Sequence, residues 1–82
     1  MSQPIKYFEV TSDRLNGSMY YAAYSLADAK DVFRSDTNSQ MIGNFKEVKY
    51  TDIPTTSIVH AAKLEYADSR AVARRFEGVT DA

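Results

Sequence analysis

Eighty-two residues are enough for one domain with one two-layer core, in which about 60–65% of the unfolded chain's surface is buried. An apolar fraction of 44%, with six tyrosines and four phenylalanines, excludes a disordered chain. The absence of cysteine excludes disulfide and thiolate chemistry, and a formal net charge of −1 excludes both a strongly basic nucleic-acid-binding domain and a heavily acidic DNA mimic.

No apolar run nears the roughly 20 residues that a membrane-spanning helix needs. Met1-Ser2-Gln3-Pro4 lacks the charged and apolar regions of a signal peptide. The expectation is a single cytoplasmic domain over residues 1–82, with 79–82 as a frayed tail.

Residues 5–11 read as a first strand, with Phe8 and Val10 as the core pair and Tyr7 on the opposite face. Asn16-Gly17 is a turn signal, because both residues tolerate positive φ. Residues 19–24 then form a second strand, antiparallel to the first. The period changes at Ser25. Ser25 is the expected N-cap and Asp28 stands at the third helical position, facing the positive end of the helix dipole. Leu26, Ala29, Val32 and Phe33 recur at helical spacing, so a first helix runs to about Arg34 or Ser35.

Residues 35–39 read as a polar loop and 41–50 as a third strand. Its broken alternation, with Phe45 opposed to Ile42, Val48 and Tyr50, suggests a bulge near Gly43-Asn44. Ile53-Pro54 ends this strand. One of Thr55, Thr56 or Ser57 then caps a second helix reaching Phe76 or Glu77, about 30 Å long, with Gly78 just past its end. The expected fold is α+β, in the order β-β-α-β-α. It has a three-stranded antiparallel sheet ordered 2-1-3, with both helices on one face.

Two surfaces stand out on this layout. On the second helix, Ile58, Ala62, Ser69, Val72, Ala73 and Phe76 share one side, flanked by Val59 and Tyr66. Lys63, Arg70 and Arg74 lie within about 40° of one another on the other side. This is either a solvated face or a basic ridge for phosphates or an acidic protein surface. The tyrosines form the second surface. Tyr20 and Tyr24 share a face of the second strand, and Tyr7 can join them on a sheet face that the helices leave open. Tyrosine there serves ordinary cross-strand pairing, a protein interface, or stacking on unpaired bases.

No constellation points to catalysis. His60 has no cysteine or second histidine beside it in sequence and reads as a surface or capping residue. Asp28 with Asp31, or Glu9 with Asp13, makes no convincing acid–base dyad, and no serine has a nucleophile-elbow context. We expect no enzyme activity, no metal and no cofactor.

The segment Tyr20-Tyr21-Ala22-Ala23-Tyr24-Ser25-Leu26-Ala27-Asp28-Ala29-Lys30, followed by a polar loop and Ile42-Gly43, resembles one in small phage-encoded proteins. These include some inhibitors of type I CRISPR complexes, in which a strand runs into a Ser-Leu-x-x-Ala-Lys helix. The resemblance covers about a third of the chain. It implies a compact protein that occupies a surface of a host complex without cofactor or catalysis, with Lys30 exposed toward the partner. The leading expectation is therefore a small non-catalytic protein-binding module, a phage inhibitor of a bacterial defence or regulatory complex. Its candidate contact residues are Tyr7, Tyr20, Tyr24, Lys30, Lys63, Arg70 and Arg74. The rivals are a weak single-stranded nucleic-acid binder, with those tyrosines and Tyr50 stacking and Lys46 or Lys49 near phosphates, and a homodimer formed through the open sheet.

Overall fold

The computed structural model describes residues 4–12, 17–36, 43–76 and 78–81. They form an α+β fold with β1 (Lys6–Thr11), β2 (Met19–Ala23), α1 (Leu26–Asp36), β3 (Asn44–Val48), β4 (Ile58–Ala62), α2 (Tyr66–Arg75) and β5 (Gly78–Asp81). A short 3-10 turn, Tyr50–Asp52, lies between β3 and β4. The five strands make one mixed sheet in the order β3-β1-β2-β4-β5. β1 is antiparallel to β2 and β3, whereas β4 is parallel to β2 and β5 parallel to β4. The antiparallel trio has the expected order. The parallel half of the sheet was not expected.

The two helices pack on opposite faces of the sheet, not on one. Phe8, Val10, Tyr21 and Ala23 pack with Ala29, Val32 and Phe33 of α1. Tyr7, Ala22 and Val59 pack with Val72 and Phe76 on the α2 side. Consecutive residues of the central strands are therefore buried: Tyr7 with Phe8, and Tyr21, Ala22 and Ala23 together. Such unbroken burial marks a strand covered on both faces. Among the described residues the expected open, tyrosine-bearing face is therefore absent, because α2 packs on the side where Tyr7 lies.

Connection geometry explains the two-sided cover. The β2-α1-β3 crossover travels one way along the sheet, past β1, and β4-α2-β5 travels the other way. Crossovers in opposite directions have the same hand only if they pass over opposite faces, and the right-handed preference requires one hand. The β3–β4 connection obeys the same rule. It travels with α2's direction and buries Ile53 in the α2-side core.

The long second helix resolves into β4, a turn and α2. Ile58, placed in a helical core by the sequence, lies on β4 and is 57% exposed. Lys63, placed on the helix, sits in the turn with φ 57°, a left-handed conformation seldom adopted outside glycine. Residues 79–81, expected to fray, join Gly78 in β5. The third strand spans only Asn44–Val48 and pairs with β1 residue for residue, so the bulge expected near Gly43-Asn44 does not interrupt it; Met41 and Ile42 lie outside the described residues. Gly17 has φ 102°, as its turn role requires; Asn16 lies outside the described residues. The Ser25 cap forms as expected, with the Asp28 N–H donating to Ser25 Oγ at 3.2 Å. Among the described residues, no helix is long and apolar enough to cross a membrane.

Candidate functional site

A groove of about 450 Å³ runs along the side of α2. It is lined by Ile5, Lys6 and Tyr7 at the start of β1, Glu47 and Val48 at the end of β3, Tyr50, and Asp68 and Arg75 of α2. Antiparallel pairing brings the first two groups together, because Tyr7 is the register partner of Val48. Asp68 and Arg75 are seven residues apart on α2, which is two helical turns, so both flank the groove.

Aromatic packing sets the inner wall. The Tyr7 ring centre lies 6.1 Å from that of Tyr50 and 6.0 Å from that of Phe76. The Arg75 guanidinium carbon stands 4.1 Å from the Tyr50 ring centre, within cation–π range, and its Nη1 donates to the Tyr7 hydroxyl at 3.3 Å. The site thus sets donors on Lys6, Tyr7 and Arg75 beside the carboxylates of Glu47 and Asp68.

Asp68 is tied at the far end. Tyr24 donates its O–H to Asp68 Oδ2 and accepts from the Glu65 N–H at 3.0 Å. The hydrogen bond to Asp68 raises the Tyr24 pKa above its ordinary value, because it favours the protonated phenol. Tyr20 donates to Glu9 at 3.3 Å, and partial burial together with that carboxylate raises its pKa as well.

The outer ridge of α2 is a second surface. Tyr66, expected on the apolar flank, is 76% exposed. Arg70, one turn on, donates from Nη1 to the Tyr66 hydroxyl at 2.9 Å and lies 5.7 Å from its ring centre. Arg74 follows four residues later on the same face, also exposed. The Arg70–Arg74 half of the expected ridge is therefore present on α2. Lys63 does not join it. Its Nζ pairs with Asp31 of α1 at 3.0 Å, which lowers the Asp31 pKa and raises that of Lys63.

The remaining expected contact residues are scattered. Tyr7, Tyr20 and Tyr24 do share the α2 side of the sheet, but Tyr7 is buried and the other two are half-buried. Lys30 is exposed on α1, across the sheet from α2. Sequence reasoning did not single out Tyr66 or Arg75. The Arg74-Arg75 pair was visible but explicable by the helix dipole alone, and nothing local marks Tyr50 as Arg75's platform. His60 lies on β4, half-buried, stacked on Tyr21 with ring centres 5.0 Å apart, and not on a helix.

A second groove, of about 420 Å³, lies at the opening ends of β2 and β4, where Met19, Tyr20, Ile58 and His60 meet Ser18 and Ser57. Among the described residues no group of three or more His, Cys, Asp or Glu is placed to hold a metal ion. No protein-family model matches the chain, and comparison with curated proteins and with solved structures finds no match.

Proposed function

We propose that the chain is a small, non-catalytic protein-binding module that docks on an acidic surface of its partner through the outer ridge of α2. The Tyr66–Arg70–Arg74 column carries this reading. A tyrosine that is 76% exposed, held by an arginine on the same helix, offers a rigid aromatic surface beside positive charge. Tyrosine and arginine dominate binding hot spots for that reason. Among the described residues neither Arg70 nor Arg74 takes part in an ion pair, although Asp68 on the same helix weakens the field of the ridge.

The resemblance of residues 20–30 to small phage-encoded inhibitors supports a biological setting for this reading: obstruction of a bacterial defence or regulatory complex in the host cytoplasm. The stacking of bases on an open sheet face has less support, because α1 and α2 cover the two faces.

The test compares the wild type with Tyr66→Ala, Arg70→Ala and Arg74→Ala in affinity capture, followed by calorimetry on the purified partner. All three variants should keep the wild-type circular dichroism and lie within about 0.5 kcal/mol of its stability. At least one should bind the partner about 30-fold more weakly. Added salt should weaken wild-type binding. A partner bound equally well by all three variants sinks the reading. So does micromolar, steeply salt-dependent binding of single-stranded oligonucleotides in fluorescence anisotropy, without an acidic protein partner.

A further inference from the structure

We infer that the groove beside α2 is an anchor pocket for a carboxylate side chain, aspartate or glutamate, presented by the partner's acidic surface. This rests on the docking reading above and names what the groove takes. The starting point is the Tyr7 hydroxyl. Tyr7 is 4% exposed, yet it lines the groove. Its oxygen accepts from Arg75 at 3.3 Å, and among the described residues no protein group accepts its O–H proton. A buried donor whose proton meets no acceptor among the described residues, beside a guanidinium, suits an acceptor that carries negative charge.

Arg75 is set up for the same ligand. Its contact with the Tyr50 ring limits where the guanidinium can go, and Tyr7 takes one of its five N–H donors. A carboxylate can therefore accept from Tyr7 through one oxygen and from Arg75 through the other. Lys6 adds a second cation to the wall, and Val48 offers apolar surface to the methylene groups behind the carboxylate. Pre-positioned donors lower the ordering cost of binding.

The groove's own acids select the charge of the ligand. Glu47 and Asp68 also line it. A phosphate, with up to two negative charges, meets more repulsion from them than a single carboxylate does. This favours a carboxylate over a phosphate, whether the phosphate is free or on a protein.

The experiment is an NMR titration of the isotopically labelled full chain with three probes: N-acetyl-glutamate α-methylamide, its glutamine counterpart and inorganic phosphate. The glutamate probe should give saturable shifts at the Arg75 side chain and the Lys6 and Tyr7 amides, with Kd on the order of millimolar. The glutamine probe and phosphate should not saturate in the same range. Tyr7→Phe should weaken the glutamate probe about tenfold, and Arg75→Gln should abolish its binding, while both variants keep dispersed folded spectra. No saturable shift, equal binding of phosphate or of the glutamine probe, or an unchanged Tyr7→Phe affinity overturns the inference.

The two readings fail separately. If ridge variants lose the partner while Tyr7→Phe and Arg75→Gln hold it at wild-type strength, the anchor pocket alone is wrong. If the partner is lost in Tyr7→Phe and Arg75→Gln but held by every ridge variant, the pocket stands and the ridge is wrong.

Discussion

The two sides of the sheet are built from similar numbers of aromatic residues but from different chemistry. On the α1 side the packing is aromatic and apolar. Phe33 meets Tyr21 and Phe45 edge-on, with ring centres 6.1 and 5.4 Å away, and α1 buries Ala29, Val32 and Phe33. On the α2 side the helix itself buries only Val72. Its margins are polar: Asp68 holds Tyr24, Arg75 holds Tyr7, and a groove lies between the helix and the end of β3. The first layer is arranged like a core. The second is half core and half polar margin, and both proposals fall there. A helix anchored by few apolar contacts leaves its remaining side chains free to face a partner.

The sharpest way to break this comparison is to make one substitution in both layers. Phe33 and Phe76 are 3% and 4% exposed. Phe33→Ala should cost about 4–5 kcal/mol and Phe76→Ala about 3, since the site beside the groove can relax or admit water. A domain of this size has about 4–12 kcal/mol in total, so the first variant should be largely unfolded at modest urea concentrations. Urea denaturation followed by circular dichroism measures both. Equal costs, or a larger cost for Phe76, would remove the distinction between the layers.

A smaller effect should come from Gly43→Ala. A Cβ at Gly43 would sit 2.8 Å from Val10 Cγ1 and 2.9 Å from Phe33 Cε2. Both neighbours are buried core side chains on the α1 side. The overpacking should cost about 1–3 kcal/mol. A change under about 0.5 kcal/mol in the denaturation midpoint would show that this layer is looser than its burial implies.

The smallest effect separates two tyrosines by pH. Tyr21 donates to Asp36 at 3.0 Å, and burial, then that hydrogen bond, raises its pKa well above 10.0. In the unfolded chain the phenol loses its proton near 10.0, while in the folded chain it keeps it. Stability from this group is therefore complete below pH 10 and falls as pH rises toward the folded value. Tyr24 is also raised, chiefly by its hydrogen bond to Asp68, but it lies half-buried at the solvent margin, so its contribution is heavily screened. Denaturation measured from pH 8 to 11 should show a decline from about pH 10 that Tyr21→Phe flattens and Tyr24→Phe leaves in place. If Tyr24→Phe flattens it as much, the α2 margin contributes more to stability than this comparison assigns.

Features that depend on short-range interactions were legible. The β2–α1 junction was read to within about two residues, because a period change, a capping serine and a first-turn aspartate all act within one helical turn. The antiparallel order β3-β1-β2 followed from a local turn signal at Gly17 and one crossover. Residues 58–62 were not legible. Ile58-Val59-His60-Ala61-Ala62 is a short apolar run next to a helical pattern, and periodicity cannot tell a five-residue buried strand from a helix turn. The turn that separates β4 from α2 uses Lys63 at positive φ, where a glycine would have announced it. Joining the two segments moved Lys63 onto the ridge, turned Tyr66 inward and hid the groove.

Local chemistry by itself thus determined the α+β class, the first strand pair, the position of α1 and the basic character of α2's outer face. Only the tertiary structure decided that the helices lie on opposite faces and that Tyr7, Tyr50 and Arg75 meet. The reason is physical. Once β4 and β5 pair in parallel, the hand of their crossover dictates the face that α2 must cover. That face, and not the helix's own sequence, brings Arg75 down beside a tyrosine 68 residues earlier in the chain.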